Sequence, residues 1–207
     1  MDFDEFTFDP DKHEYTLDGR VVPSVTQVVA PLGADYDDMD EFTERAVDVA
    51  TERGVVLHDY IAAKLLGADR EDFEMPTDFE EYADAVDAFF AEHDIDPYLV
   101  EHPMTDGVYA GTPDIICEYN GVLAVLDYKF VSNISKSRVC AQLGGYKALC
   151  EANNLYPEEL YAIQFTRGDY RVYPVDPETA ARMWRAATAL WHEKTLKHFR
   201  GKIGEWN

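Results

Sequence analysis

Three side chains near the middle of the chain, Asp114, Asp127 and Lys129, have the types and spacing to hold a divalent cation and a nucleophilic water. They lie on either side of Asn120-Gly121, which separates two alternating apolar runs and is the strongest short signal for a two-residue type I′ hairpin loop. With those residues as the loop, Tyr119 pairs with Val122, and the same register brings Asp114 opposite Asp127. Their Cβ atoms would then be roughly 4.5–5.5 Å apart on one sheet face. Strand alternation adds the Lys129 amine to that face. Two carboxylates facing each other among Ile115, Ile116, Val125 and Leu126 repel, and burial raises the cost. A divalent metal compensates most economically: Mg²⁺ prefers carboxylate oxygens and keeps waters that can act as nucleophile, one of which Lys129 would orient or deprotonate.

The alternative is an ordinary surface hairpin with a solvated ion pair worth little. It is disfavoured because the flanking residues are apolar on both faces, as in a covered sheet.

At these residues the sequence resembles the PD-(D/E)XK nuclease superfamily, and within it the RecB-like and phage-type exonucleases. Pro113-Asp114 stands for the first half of that signature and Asp127-Tyr128-Lys129 for the second. Gln142 and Tyr146 resemble the Gln-xxx-Tyr element on the helix that follows; their i, i+4 spacing shares one helical face. Arg53-Gly-Val-Val-Leu-His58 resembles the run whose histidine is a metal ligand in RecB-like members. The resemblance implies metal held by His58, Asp114, Asp127 and the backbone carbonyl of Tyr128, with Glu101 a further carboxylate. Lys129 would activate water, and Gln142 and Tyr146 would position the strand. The cofactor expected is Mg²⁺, or Mn²⁺, which accepts the imidazole nitrogen more readily. Pro-Ser-Val-Thr at 23–26 resembles the start of phage-type and mitochondrial genome maintenance exonucleases, where this region lies near the DNA path. Ser24 and Thr26 are therefore candidate phosphate contacts, although helix capping alone accounts for Ser24.

Composition bears on the same question. At 207 residues and 46% apolar, the chain can bury a full core as one domain, 1–207, with an N-terminal hairpin and short helix at 1–33 and the metal-site core at 98–153. No apolar run approaches the ~18 residues of a membrane span, and the acidic N-terminus lacks signal-peptide features, so a cytoplasmic protein is expected. Cys117, Cys140 and Cys150 are an odd set without CxxC spacing, which points to reduced thiols and excludes the four-thiolate iron–sulphur cluster of some RecB-like relatives.

A net charge of −23 runs against a nucleic-acid partner. The excess is uneven, however: residues 1–100 hold 28 acidic and 6 basic side chains, residues 101–207 hold 13 and 12. Lys129, Lys136, Arg138 and Lys147 form a stretch without acids. Arg182, Arg185, Lys194, Lys197, Arg200 and Lys202 form a second, opposed by Glu193. Arg53, Lys136, Arg138 and Lys147 join Ser24 and Thr26 as candidate DNA contacts.

The elements that must position these groups follow from periodicity and punctuation. A hairpin is expected around Asp9-Pro10 and Asp18-Gly19, then a short helix capped by Ser24 with Val25, Val28, Val29 and Leu32 buried. A charged connector at 35–40 leads to a helix from about 39 to 66, interrupted at Gly54. After an acidic loop at 67–76, Thr77 and Glu80 have capping-box form and open a helix to about His93 whose outer face is acidic. A first central strand from Tyr98 is expected beside the one carrying Asp114. A helix over about 136–153, strands over 160–166 and 170–173, and a last helix from Asp176-Pro177 with Met183, Trp184, Ala187, Leu190 and Trp191 inward complete the chain. The fold class is α/β, a mixed central sheet flanked by helices, as the resemblance also implies.

The activity expected is metal-dependent DNA exonuclease hydrolysis in phage-type recombination, repair or replication, on DNA ends or single strands, with a recombination or replication protein as a further partner. Two rivals are a restriction or junction-resolving endonuclease and a non-catalytic acidic DNA mimic or accessory protein.

Overall fold

A computed structural model describes residues 5–32 and 41–203, the backbone alone for 41–48 and 196–203. The connector at 35–40, the first turn of the helix expected from Met39 and the side chains of Lys197, Arg200 and Lys202 lie outside the described residues.

The N-terminal segment is a three-stranded meander rather than a single hairpin: β1 (Phe6–Asp9), β2 (Glu14–Leu17) and β3 (Arg20–Val22). Asp18 and Gly19 both take positive φ, as a two-residue loop between paired Leu17 and Arg20 requires. Ser24 then caps α1 (Val25–Val29) through a capping box with Gln27. Next, α2 (Glu41–Leu65) runs unbroken through Gly54, where the sequence suggested an interruption. One glycine costs only about 1 kcal/mol against alanine, which the packing of Leu57, Tyr60 and Ile61 outweighs. The capping box expected at Thr77 is not made: residues Thr77–Phe79 form a 3₁₀ turn without a side-chain cap, and α3 (Glu80–Glu92) follows it.

The main sheet has five strands in the order β10-β9-β8-β7-β4. Here β4 is Ile95–Val100 and β7 is Ile115–Tyr119, while β8 spans Val122–Lys129, β9 Glu159–Thr166 and β10 Asp169–Pro174. The strand expected to be central, β4, lies at the edge, and its register shifts beside Pro97. An edge accommodates that proline because its missing N–H faces no partner. Between β4 and β7 a small ribbon, β5 (Met104–Thr105) and β6 (Ala110–Gly111), turns at Asp106-Gly107. The strands β8 and β9 are parallel and joined through α4 (Lys136–Ala152), whereas the other pairings are antiparallel.

Helices cover both faces, which is why β7 and β8 read as continuous apolar runs. Ile116, Val125, Leu160 and Ala162 face α1, α4 and α5 (Pro177–Ile203). Ile115, Leu126, Tyr128, Ile163 and Phe165 face α2 and α3. Trp184 and Ala187 carry the inward face of α5, while Leu190, placed in that stripe by periodicity, is 43% exposed.

The closest helix contact is between α4 and α5 at Gly144-Gly145. A Cβ on Gly144 would lie 2.1 Å from the Ala180 carbonyl oxygen, and one on Gly145 would lie 2.7 Å from a Val25 methyl. Gly54, by contrast, has open space around it. Gly144→Ala should therefore destabilise by about 2–4 kcal/mol through forced helix separation, and Gly54→Ala should be neutral or stabilising by up to ~1 kcal/mol. Urea denaturation of the two variants checks both signs.

Candidate active site

The hairpin between β7 and β8 has the expected register. Asn120 and Gly121 take φ of 50° and 86°, and Tyr119 pairs with Val122 through to Ile115 with Leu126. The backbone ladder stops there, one residue before the two aspartates. Asp114 instead turns its side chain into the ladder: Oδ2 accepts the Tyr128 N–H at 2.6 Å, and its carbonyl accepts the Glu101 N–H at 3.0 Å. The carboxylate is thus held against the backbone next to Asp127 by a hydrogen bond rather than by strand pairing.

Asp127 is 1% exposed, and Lys129 Nζ lies 2.6 Å from its Oδ2. That ion pair engages Oδ2, while Oδ1 has no hydrogen-bond partner among the described residues. Lys129 donates to Gln142 Oε1 at 3.2 Å, and Gln142 Nε2 donates to the Tyr146 hydroxyl at 2.9 Å. Gln142 and Tyr146 are 6% and 4% exposed, so they reach Lys129 from beneath rather than facing solvent. The i, i+4 spacing on α4 puts both on the sheet side, as the sequence indicated.

From α2, His58 Nδ1 stands 3.6 Å from Asp114 Oδ1 and 3.8 Å from Glu101 Oε1. Glu101 takes positive φ where β4 ends. Burial, then the Lys129 charge, pushes the His58 pKa down, which keeps the imidazole neutral and available as a ligand. Burial pushes Asp114 and Asp127 each up to about 6, against the opposing pull of Lys129. Glu101 is also raised, first by burial.

Among the described residues no three His, Cys, Asp or Glu side chains are already gathered as a ligand cage. The donor set nonetheless suits a divalent cation. One buried carboxylate oxygen of Asp127 lacks a donor, the neighbouring Asp114 carboxylate is raised by burial, and a neutral imidazole adjoins it.

The remaining sequence candidates divide. Ser24 spends its hydroxyl on capping α1 and on Thr26, 2.9 Å away. Arg53 donates to the Phe130 carbonyl from Nη2 at 2.5 Å and lies over the Tyr82 ring, so it ties α2 to the end of β8. Lys147 donates to the Pro157 carbonyl and pairs with Glu151. The Glu151 partner of Lys147 follows from i, i+4 spacing on α4, whereas the two backbone carbonyls do not follow from spacing. Lys136 is exposed and Arg138 partly so at the start of α4. The three cysteines are free, and burial pushes Cys117 and Cys150 up to about 12.

Two contacts escaped the sequence. Gln164, paired with Lys129 across β8 and β9, donates to the Val131 and Ser132 carbonyls and fixes the loop after β8. Tyr15 hydrogen-bonds Thr112 at 2.8 Å, anchoring the N-terminal meander two residues from Asp114. A polar residue in an apolar strand was the signal for the first; the second pairs positions 97 apart and left none.

No family model matches the chain, and no curated protein does. Two solved structures of an alkaline exonuclease from Laribacter hongkongensis are similar to it, each over 88% of this chain and 95% of that one. The first has 12% identity and a TM-score of 0.42; the second, in complex with dAMP, has 13% and 0.40. SSO0001 is similar at 13% identity over 80% of this chain and 84% of that one, with a TM-score of 0.31. No helix among the described residues is long and apolar enough to cross a membrane.

The raised carboxylates give a signed prediction. An acid whose pKa is higher folded than unfolded binds more protons in the native state, so its contribution falls as pH rises from about 4 to 6 and stays unfavourable above. In the absence of metal, Asp127→Asn should therefore be more stable than the parent at pH 7.5 by roughly 1–3 kcal/mol, and the difference should vanish near pH 4. Chemical denaturation of both proteins in chelator at the two pH values checks it.

Proposed function

We propose that the protein is a metal-dependent deoxyribonuclease of the PD-(D/E)XK kind, with Asp114, Asp127 and His58 holding the cation and Lys129 serving the attacking water. The observation that carries this reading is Asp127: a buried carboxylate whose Oδ2 meets the Lys129 amine while its Oδ1 has no partner, the amine itself being oriented by a buried amide. A purely structural ion pair would gain nothing from leaving that oxygen bare, because a buried charge needs its lone pairs satisfied.

A cation bound there supplies charge neutralisation at the scissile phosphate and a lowered pKa for its water. The chain's own residues do the rest. Asp114 stays fixed by the Tyr128 N–H, while the Tyr128 carbonyl and Glu101 are the outer candidates for the same cation. Lys129 is held between Asp127 and Gln142, so its ammonium can orient a water or stabilise the charge developing on phosphate oxygens. Gln142 and Tyr146 act through Lys129 as positioning residues. The neutral His58 nitrogen favours Mn²⁺ alongside Mg²⁺. Thr26, Lys136 and Arg138 remain as contacts for the DNA backbone, and exonuclease action at DNA ends in recombination, repair or replication is the specific reading.

Incubation of end-labelled linear and closed-circular DNA with Mg²⁺ or Mn²⁺ tests this. Linear DNA should be degraded to short products and the closed circle spared. Asp127→Ala and Lys129→Met should each lower the rate by about 10²–10⁴-fold with an unchanged fold by circular dichroism. Cutting of the circle would favour an endonuclease. A parent protein inert with both metals would leave the acidic-mimic reading.

A further inference from the structure

The cleft over Asp114 has a second wall that the chemistry above does not use. It encloses about 390 Å³ between the N-terminal meander, α2 and the end of β4. Phe8, Pro10 and His13 line it from the meander, Val55 and His58 from α2, and Glu101 and Asp114 from beside the ends of β4 and β7. Val55 is 58% exposed one turn before His58, an uncovered apolar side chain beside a set of carboxylates.

The meander wall is built rigidly. Phe8 stacks on Tyr15 at 4.6 Å between centroids and 22° between planes, and His13 meets the Phe8 ring edge-on at 5.4 Å. Tyr15 is buried and hydrogen-bonded to Thr112, so this aromatic stack is fixed relative to the strand carrying Asp114. The remaining lining adds Asp59 but no lysine or arginine. A phosphate backbone finds no fixed cation on this wall, whereas the π-face of a base is attracted to aromatic and apolar surface whatever its sequence. A cleft of about 390 Å³ has room for one small ligand.

Resting on the nuclease reading above, we propose that Phe8, with His13 and Val55, forms a stacking platform for one unpaired nucleobase beside the scissile phosphate. The preferred substrate is then a single-stranded or frayed DNA end.

The test is a cycle between protein and substrate. Single-stranded oligonucleotides with intact terminal bases, or with tetrahydrofuran abasic residues at both ends, are digested with Mn²⁺ by the parent, Phe8→Ala and Phe8→Trp. The parent should lose about tenfold or more in kcat/KM on the abasic substrate. Phe8→Ala should lose a similar factor on the intact substrate and little further on the abasic one, while Phe8→Trp should keep the parent's discrimination. Melting temperatures report whether the meander survives, and the Trp variant carries the conclusion if Phe8→Ala does not fold. A parent that degrades both substrates equally, or losses from variant and abasic ends that simply multiply, would overturn the platform and leave the nuclease reading intact. A parent that degrades neither oligonucleotide nor linear duplex would overturn the nuclease reading, and the platform with it.

Discussion

The carboxylate of Asp127 is taken out of water at the centre of a sheet covered on both faces, and among the described residues the Lys129 ammonium at 2.6 Å is the fixed positive charge that meets it. Burial of an ion costs several kcal/mol after relaxation, and one such contact does not fully offset it. Much of the surrounding structure can be read as what keeps this arrangement in place. The tight turn at Asn120-Gly121 sets the register, the Asp114 side chain closes the ladder, and Gln142 on α4 holds the amine. Helix α4 can approach closely because Gly144 and Gly145 let α5 and α1 pack onto its back.

The acidic surplus fits this arrangement without contradicting it. In the acidic half, Lys64 and Arg70 both pair with Asp87, which also accepts from Tyr60. Burial opposes the charge on Asp87, and these three partners together still hold it below the usual carboxylate range. On the other side of the sheet, Lys136 and Arg138 stand at the start of α4 near the loop that follows Lys129. A polyanion would thus meet repulsion at α3 and fewer acidic groups at α4, a polarity that steers approach even at negative net charge.

What could be read in advance was local. The I′ turn, the two aspartates on one face, the amine two residues on, the Ser24 cap and the sheet-facing Gln142 and Tyr146 all depend on periods of 2 or 3.6 residues and on turn chemistry, which act within a few positions. The features in which the fold departs from local expectation were decided by packing. Gly54 does not break α2 because buried Leu57, Tyr60 and Ile61 hold the helix, and Tyr98 belongs to an edge strand because only an edge tolerates Pro97.

The sequence by itself determined which side chains could do chemistry, the register that brings two of them together, and the α/β alternation that covers their sheet. Tertiary structure alone decided which cations are spent: Arg53 on the Phe130 carbonyl, Lys147 on Pro157 and Lys129 between Asp127 and Gln142. It also decided that the meander's aromatic stack lies beside Asp114, through a hydrogen bond from Tyr15 to Thr112. The reason is physical. Local backbone preferences repeat along the chain and can be read from it, whereas a long side chain's partner is chosen by whichever unsatisfied group the packed fold brings within about 3 Å.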